Sequence, residues 1–126
     1  MSNDNVELLR GTYEAFGRGD IPAVLAVMHE DIAMHVPEPL PTAMTVNGRD
    51  EVPSLFQKIA STWEDFSLEI HDFCASGDRV CAIGSAGGKL DGTPASYGFV
   101  HAWTVRDGLC VRFDEYVDPS PELLAR

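Results

Sequence analysis

Apolar residues recur every three or four positions in the first half of the chain and every second position in the rest, so the pattern predicts helices followed by strands. Val6, Leu9, Tyr13 and Phe16 form one helical stripe, which glycine stops at Gly17-Arg18-Gly19. Asp20 is placed to cap a second, short helix, with Pro22 in its first turn and Ile21, Val24, Leu25 and Met28 as its buried stripe. A brief strand at residues 31–36 follows. Pro37-Glu38-Pro39-Leu40-Pro41 predicts an extended loop, placed to serve as a lid, because three prolines remove three amide donors and exclude helix interior and central strand. Asn47-Gly48 precedes a third helix with the stripe Val52, Leu55, Phe56, Ile59 and Trp63, ending between Thr62 and Glu64. From Phe66 the period is two. Strands at residues 66–75, 79–89, 97–105 and 109–117 are separated by turns at Ser76-Gly77-Asp78, Leu90-Asp91-Gly92 and Arg106-Asp107-Gly108. Helices first and antiparallel strands after imply a single α+β domain over residues 1–126, with the helices packed on one face of a curved sheet that encloses a cone.

The last hairpin carries the chemistry. A three-residue loop ending in Gly108 fits a type I turn with a bulge, and it pairs Val105 with Leu109, Trp103 with Val111, His101 with Phe113 and Phe99 with Glu115. Strand alternation then gathers Tyr97, Phe99, His101, Trp103, Val111, Phe113, Glu115 and Val117 on one face. His101 and Glu115 become diagonal neighbours in an apolar wall, with Cβ atoms about 7–8 Å apart, a span that suits opposite ends of one small ligand. The other face, with Gly98, Val100, Ala102, Thr104, Cys110, Arg112, Asp114 and Tyr116, is small or polar and suits solvent or a flat subunit interface.

Charge and composition narrow the partners. A net charge of -11 disfavours nucleic acid and anionic membrane surfaces, both of which it repels. No apolar run reaches the roughly 20 residues that span a bilayer, and Met1-Ser2-Asn3-Asp4-Asn5 lacks a basic, apolar signal sequence, so a cytoplasmic protein is expected. Cys74, Cys81 and Cys110 have no metal-type spacing and are expected as reduced, buried thiols. The four histidines share no zinc spacing, so neither a metal nor a cofactor is expected. Gly84-Ser85-Ala86-Gly87-Gly88-Lys89 lacks the spacing and following helix of a phosphate loop and reads as a glycine-rich strand.

Tyr13-Glu14-Ala15-Phe16 followed by Gly19-Asp20, His35-Val36-Pro37, Asn47-Gly48-Arg49, Gly77-Asp78-Arg79-Val80 and Trp103-Thr104-Val105-Arg106-Asp107-Gly108, in that order, resemble the SnoaL-like branch of the NTF2-like superfamily. The resemblance continues to Glu115-Tyr116-Val117-Asp118 and implies a cystatin-like cone, usually homodimeric through the outer sheet face. That superfamily includes ketosteroid isomerases, polyketide cyclases, limonene-type epoxide hydrolases, dehydratases and proteins that only bind or dimerise, so function has to come from the site. SnoaL-type cyclases imply a histidine and a carboxylate fourteen residues apart on the last two strands, which His101 and Glu115 match, with Glu in place of the usual Asp. The isomerase resemblance implies a general-base Asp where Val36 stands, and the epoxide hydrolase one implies Arg and Asp near Gly84 and Ala86, where neither occurs.

These residues point to a small enzyme that moves a proton at a carbon acid next to a carbonyl, in isomerisation or aldol-type cyclisation, on a small, hydrophobic, neutral compound. Carboxylates enclosed in apolar walls exchange protons readily. His101 and Glu115 are the candidate catalytic pair, with Glu115 as base and His101 as donor to the oxyanion, or the reverse. Tyr13, Val36, Phe56, Trp63, Phe99, Trp103 and Phe113 are the candidate substrate contacts, while the same aromatics also serve as core. The alternative is a non-catalytic module whose cone binds a hydrophobic ligand or supports dimerisation.

Overall fold

Asp20 accepts a hydrogen bond from the Ala23 amide at 3.2 Å, separating a first helix, α1 (Ser2–Gly17), from α2 (Ile21–Leu25). The computed structural model describes residues 2–126. Met28 does not lie on α2 as its spacing suggests. It opens strand β1 (Met28–Val36), because the Cys110 amide bonds the Val27 carbonyl at 2.8 Å and draws the chain into the sheet after a single helical turn. The proline segment is an irregular connection, with a cis Glu38-Pro39 bond, and it leads into a strand that hydrophobic periodicity misses, β2 (Met44–Asn47). Four residues between a proline loop and Gly48 are too few to display a period.

A 3-10 turn (Arg49–Glu51) leads into α3 (Val52–Thr62), with Pro53 in its first turn as expected. Four long strands follow, β3 (Glu64–Ser76), β4 (Arg79–Leu90), β5 (Thr93–Arg106) and β6 (Leu109–Pro119), and Ser120 caps a short terminal helix, α4 (Pro121–Leu124). The sheet order is β2-β1-β6-β5-β4-β3, antiparallel throughout except for the parallel β1–β6 pair. Helices α1 and α3 pack on β3, and α1 reaches β4, so the α+β cone expected from the element order is present as an open, curved sheet under helices.

Curvature has a local cause. β3 carries one extra residue between Glu64 and Ser67 and another, His71, between Ile70 and Asp72. Each bulge bends the strand and raises its twist. The second also resets the alternation, so Phe66, Leu68 and Ile70 before it and Phe73 and Ala75 after it line the same cleft. The bend brings β3 against its neighbour at Gly84, where an added Cβ would strike the Glu69 carbonyl oxygen and the Phe99 ring. The glycine-rich run is a strand whose glycines let the sheet fold inward.

The last hairpin departs from its expected register. Its loop is two residues, Asp107 and Gly108, both with positive φ (51° and 75°), the primed geometry that matches strand twist. Arg106 therefore pairs with Leu109, and a bulge opposite Thr104 and Val105 inserts Val111 as an extra residue on β6. Together these slide the partner of His101 by two positions, from Phe113 to Glu115. A slip of two preserves which face each side chain occupies, so the inward set survives. Only the residues before the bulge are exchanged: Cys110, expected outside, is fully buried opposite Val105, and Val111 is partly exposed. Burial pushes the Cys110 thiol up to about 12. Cys74 is exposed and Cys81 half-buried, so the expectation of three buried thiols holds for Cys110 alone; the other two stand opposite each other across β3 and β4.

Replacing a strand glycine by alanine ordinarily stabilises by a few tenths to about 1 kcal/mol. Gly84→Ala should do the reverse, lowering unfolding free energy by more than about 1 kcal/mol in urea denaturation, because backbone and ring atoms rather than a flexible side chain occupy the space.

Candidate functional site

Cross-strand pairing puts the His101 and Glu115 side chains directly opposite each other, and they bond: His101 Nε2 lies 3.0 Å from Glu115 Oε2. Only 5% of His101 and 6% of Glu115 is exposed. The imidazole is stacked on the Phe99 ring with centroids 3.9 Å apart and meets the edge of Phe113 at 4.8 Å. A pair of this kind is tolerable inside an apolar wall only when hydrogen bonds offset the lost hydration.

The partners come from α1, one turn past its buried Leu9. Tyr13 projects its hydroxyl to within 2.6 Å of His101 Nδ1 and receives the Trp103 indole N–H at 2.9 Å. Proton positions follow from the inventory of donors. Indole nitrogen can only donate, so the Tyr13 oxygen accepts there. Burial holds the Tyr13 phenol far above its ordinary titration range, so it keeps its proton and donates it to His101 Nδ1. The imidazole hydrogen is then on Nε2, donated to Glu115. Trp103, Tyr13, His101 and Glu115 thus form a one-way chain that ends on a carboxylate, whose other oxygen takes no hydrogen bond among the described residues.

Around that carboxylate lies a cavity of about 90 Å³ with walls from α1, α2, α3, the connection after the prolines and strands β1, β3, β5 and β6, including Tyr13, Val36, Thr42, Phe56, Tyr97 and Phe113. Lys58 Nζ donates to the Ala43 carbonyl at 2.9 Å and pins the loop that carries Thr42 to α3. Burial, and secondarily the Glu115 charge, holds the Tyr97 phenol far above its usual range, so Tyr97 presents a neutral hydroxyl, with no hydrogen-bond partner among the described residues.

A family model for the SnoaL-like domain matches residues 9–113. The chain belongs to the SnoaL-like family. The match ends two residues before Glu115. Solved structures agree: an NTF2-like protein from Burkholderia xenovorans is 34% identical, with a TM-score of 0.83 over 94% of this chain and 92% of that one. An NTF2-like protein of unknown function from Burkholderia pseudomallei is 32% identical, with the same TM-score and coverage. TerC, co-crystallised with polyporic acid, is 30% identical, with a TM-score of 0.81 over 90% of this chain and 91% of TerC. No curated protein matches the chain.

In this SnoaL-like protein the structure brings Tyr13, Val36, Phe56, Trp103 and Phe113 to the cavity together with His101 and Glu115. Phe99 stands behind His101 as a stacking partner. Trp63 packs on Phe66 and Tyr97 at 5.7 and 6.0 Å, outside the cavity wall. His35 is exposed on the far side of β1, His71 is exposed, and His29 accepts the Asp31 amide. No three His, Cys, Asp or Glu side chains among the described residues form a metal-binding group. No helix among them is long and apolar enough to cross a membrane. Tyr97 and Thr42 were not identified from sequence as site residues; the inward alternation of β5 already pointed to Tyr97, whereas nothing local points to Thr42.

Tyr13→Phe should cost about 1–3 kcal/mol in stability, because it strands the buried Trp103 N–H. In the parent protein ¹⁵N-detected NMR should find the His101 proton on Nε2; a proton on Nδ1 would reverse the chain.

Proposed function

We propose that this SnoaL-like protein catalyses proton transfer at a carbon next to a carbonyl, with Glu115 as the base. The observation that carries the reading is the carboxylate itself: one oxygen is held by His101, the other has no hydrogen-bond partner among the described residues, and Glu115 lines an apolar cavity. A base needs one free lone pair aimed at substrate and a fixed orientation. Both His101 nitrogens are engaged, so its role in this scheme is to position Glu115. The donor to the developing oxyanion is the Tyr97 hydroxyl, a neutral phenol on the same wall.

In the proposed cycle the C–H electron pair becomes the C=C bond of an enolate, the carbonyl oxygen takes up negative charge against Tyr97, and the proton rests on Glu115. Return of the proton to another carbon completes an isomerisation. Attack of the enolate carbon on a second carbonyl of the same molecule, with the Glu115 proton passing to the alkoxide that forms, completes an aldol-type cyclisation. A small, neutral, hydrophobic carbonyl compound fits both the walls and the acidic surface, and TerC with polyporic acid is a precedent for a small molecule on this fold.

Deuterium incorporation in heavy water, followed by NMR with enones and diketones, tests the reading. Glu115→Gln should lower exchange by about 10²–10⁴-fold while the fold persists. Exchange at the parental rate in that variant removes Glu115 from the mechanism. Absence of exchange with every compound would favour a binding module using the same cavity.

The proposed assembly is a homodimer through the outer sheet face. Tyr116, Val100 and Ile83 form a cross-strand row there, with Tyr116 62% and Ile83 36% exposed. Sedimentation velocity should show a dimer that Tyr116→Asp weakens; a monomer at all concentrations contradicts it.

A further inference from the structure

Cys74 and Cys81 lie outside the chamber around Glu115, and the hairpin of β3 and β4 sets them face to face. Gly77, with a positive φ of 58°, opens a two-residue turn that closes the strands on the pair Ser76 and Arg79. Two steps back along the ladder, Cys74 stands directly opposite Cys81. Alternation makes this again a hydrogen-bonded pair, with Cα atoms about 5.5 Å apart, inside the span that a disulfide bridges. Phe73 and Ala75 line the cleft between α1, α3 and β3, so Cys74, and Cys81 with it, is turned to the outer face of the sheet.

The two thiols differ in their surroundings. Cys81 is half-buried on a strand paired on both sides, opposite the buried Ala102 of β5. The turn next to it is tied to β5 by the Val105 amide, which donates to the Asp78 carbonyl at 2.8 Å. Cys74 is exposed on the edge strand, whose one neighbour in the sheet is β4. Opposed Cβ atoms stand about 4.5–5.5 Å apart where a disulfide needs about 3.5–4.5 Å, so closure takes a shift of roughly 1 Å, which an edge strand can supply. Cys110 is no competitor, being fully buried on β6 with its thiol pushed up to about 12.

We propose that Cys74 and Cys81 form a reversible dithiol–disulfide site, independent of the chemistry at Glu115, whose reactant is a low-molecular-weight disulfide. The Cys74 thiolate attacks one sulfur of that disulfide, its S–S bond breaks, and one small thiolate leaves and takes up a proton. The Cys81 thiolate then attacks the Cys74 sulfur of the mixed disulfide and expels the second small thiol. Two protein thiols are oxidised, the small disulfide is reduced to two thiols, and the new bond staples the edge strand to β4. A disulfide that is exposed and slightly strained is the labile kind, so an excess of the small thiol opens it again.

Incubation of the folded parent with oxidised glutathione, followed by acid quenching and intact-mass analysis, tests this. The parent should lose two hydrogens, with peptide mapping placing the bond between Cys74 and Cys81 and leaving Cys110 a thiol. Reduced glutathione in excess should restore the starting mass. Cys81→Ser should stop at one glutathione on Cys74, and Cys74→Ser should react several times more slowly than the parent, because the thiol it keeps is half-buried. A glutathione adduct that persists in the parent as it does in Cys81→Ser overturns the proposal. So do an unreactive parent, a bond to Cys110 and disulfides between chains. Native-state hydrogen exchange reads the staple itself: the Cys74 amide, bonded to β4, should exchange several times more slowly in the oxidised protein than in the reduced one, and equal rates overturn the stapling.

Discussion

A carboxylate placed among Phe99, Phe113 and Tyr97 would be intolerable without a partner, and the hydrogen bond from His101 to Glu115 supplies it. That bond requires a hydrogen on Nε2, which donation from Tyr13 to Nδ1 favours, and Tyr13 is fixed by the Trp103 indole. Three elements are therefore tied together by polar contacts in a place otherwise held by apolar ones: α1 through Tyr13, β5 through His101 and Trp103, and β6 through Glu115. Removing any inner member leaves a buried group unpaired, so the chain is a constraint on folding as well as on chemistry.

The same constraint explains the shape of the sheet. A flat sheet would bring the helices down onto His101 and Glu115 and close the cavity. Bulges on β3 and the side-chain-free backbone at Gly84 bend the outer strands toward the helices instead, leaving a chamber over Glu115 and a cleft along β3. The candidate pair sits at the deep end, where β6 and β1 are parallel neighbours and Met34 stands beside Phe113. The cleft opens at the other end, where β3 is the edge strand and α1 and α3 pack on it. Depth separates the polar chain from water.

Membership in the SnoaL-like family fixes the cone without fixing a reaction, since the family's fold carries several. Val36 stands where the resemblance to isomerases implies a base, and Glu115 where the resemblance to cyclases implies a shorter acid. The longer side chain reaches across the strand pair to His101 and leaves an oxygen on the cavity wall. The network is directional and ends on an acceptor, the carboxylate of Glu115, a residue that lines the cavity.

Local sequence determined the first three helices, the strand periods, the turn positions and the fact that His101 and Glu115 share an apolar face with Phe113 and Trp103, but not the short terminal helix α4. These follow from alternation, capping and glycine placement, which act over a few residues. Tertiary structure decided the register of the last hairpin, because a primed two-residue turn and a bulge at Val111 together shift pairing by two positions, and no local signal announces a bulge. It likewise decided that Met28 joins a strand, that β2 forms, that Cys74 stands opposite Cys81, and that Tyr13 of the first helix reaches His101 across 88 residues of chain. Alternation fixes the face a side chain occupies, but hydrogen-bond partners far apart in sequence fix where along that face it stops, and the candidate site depends on that second choice.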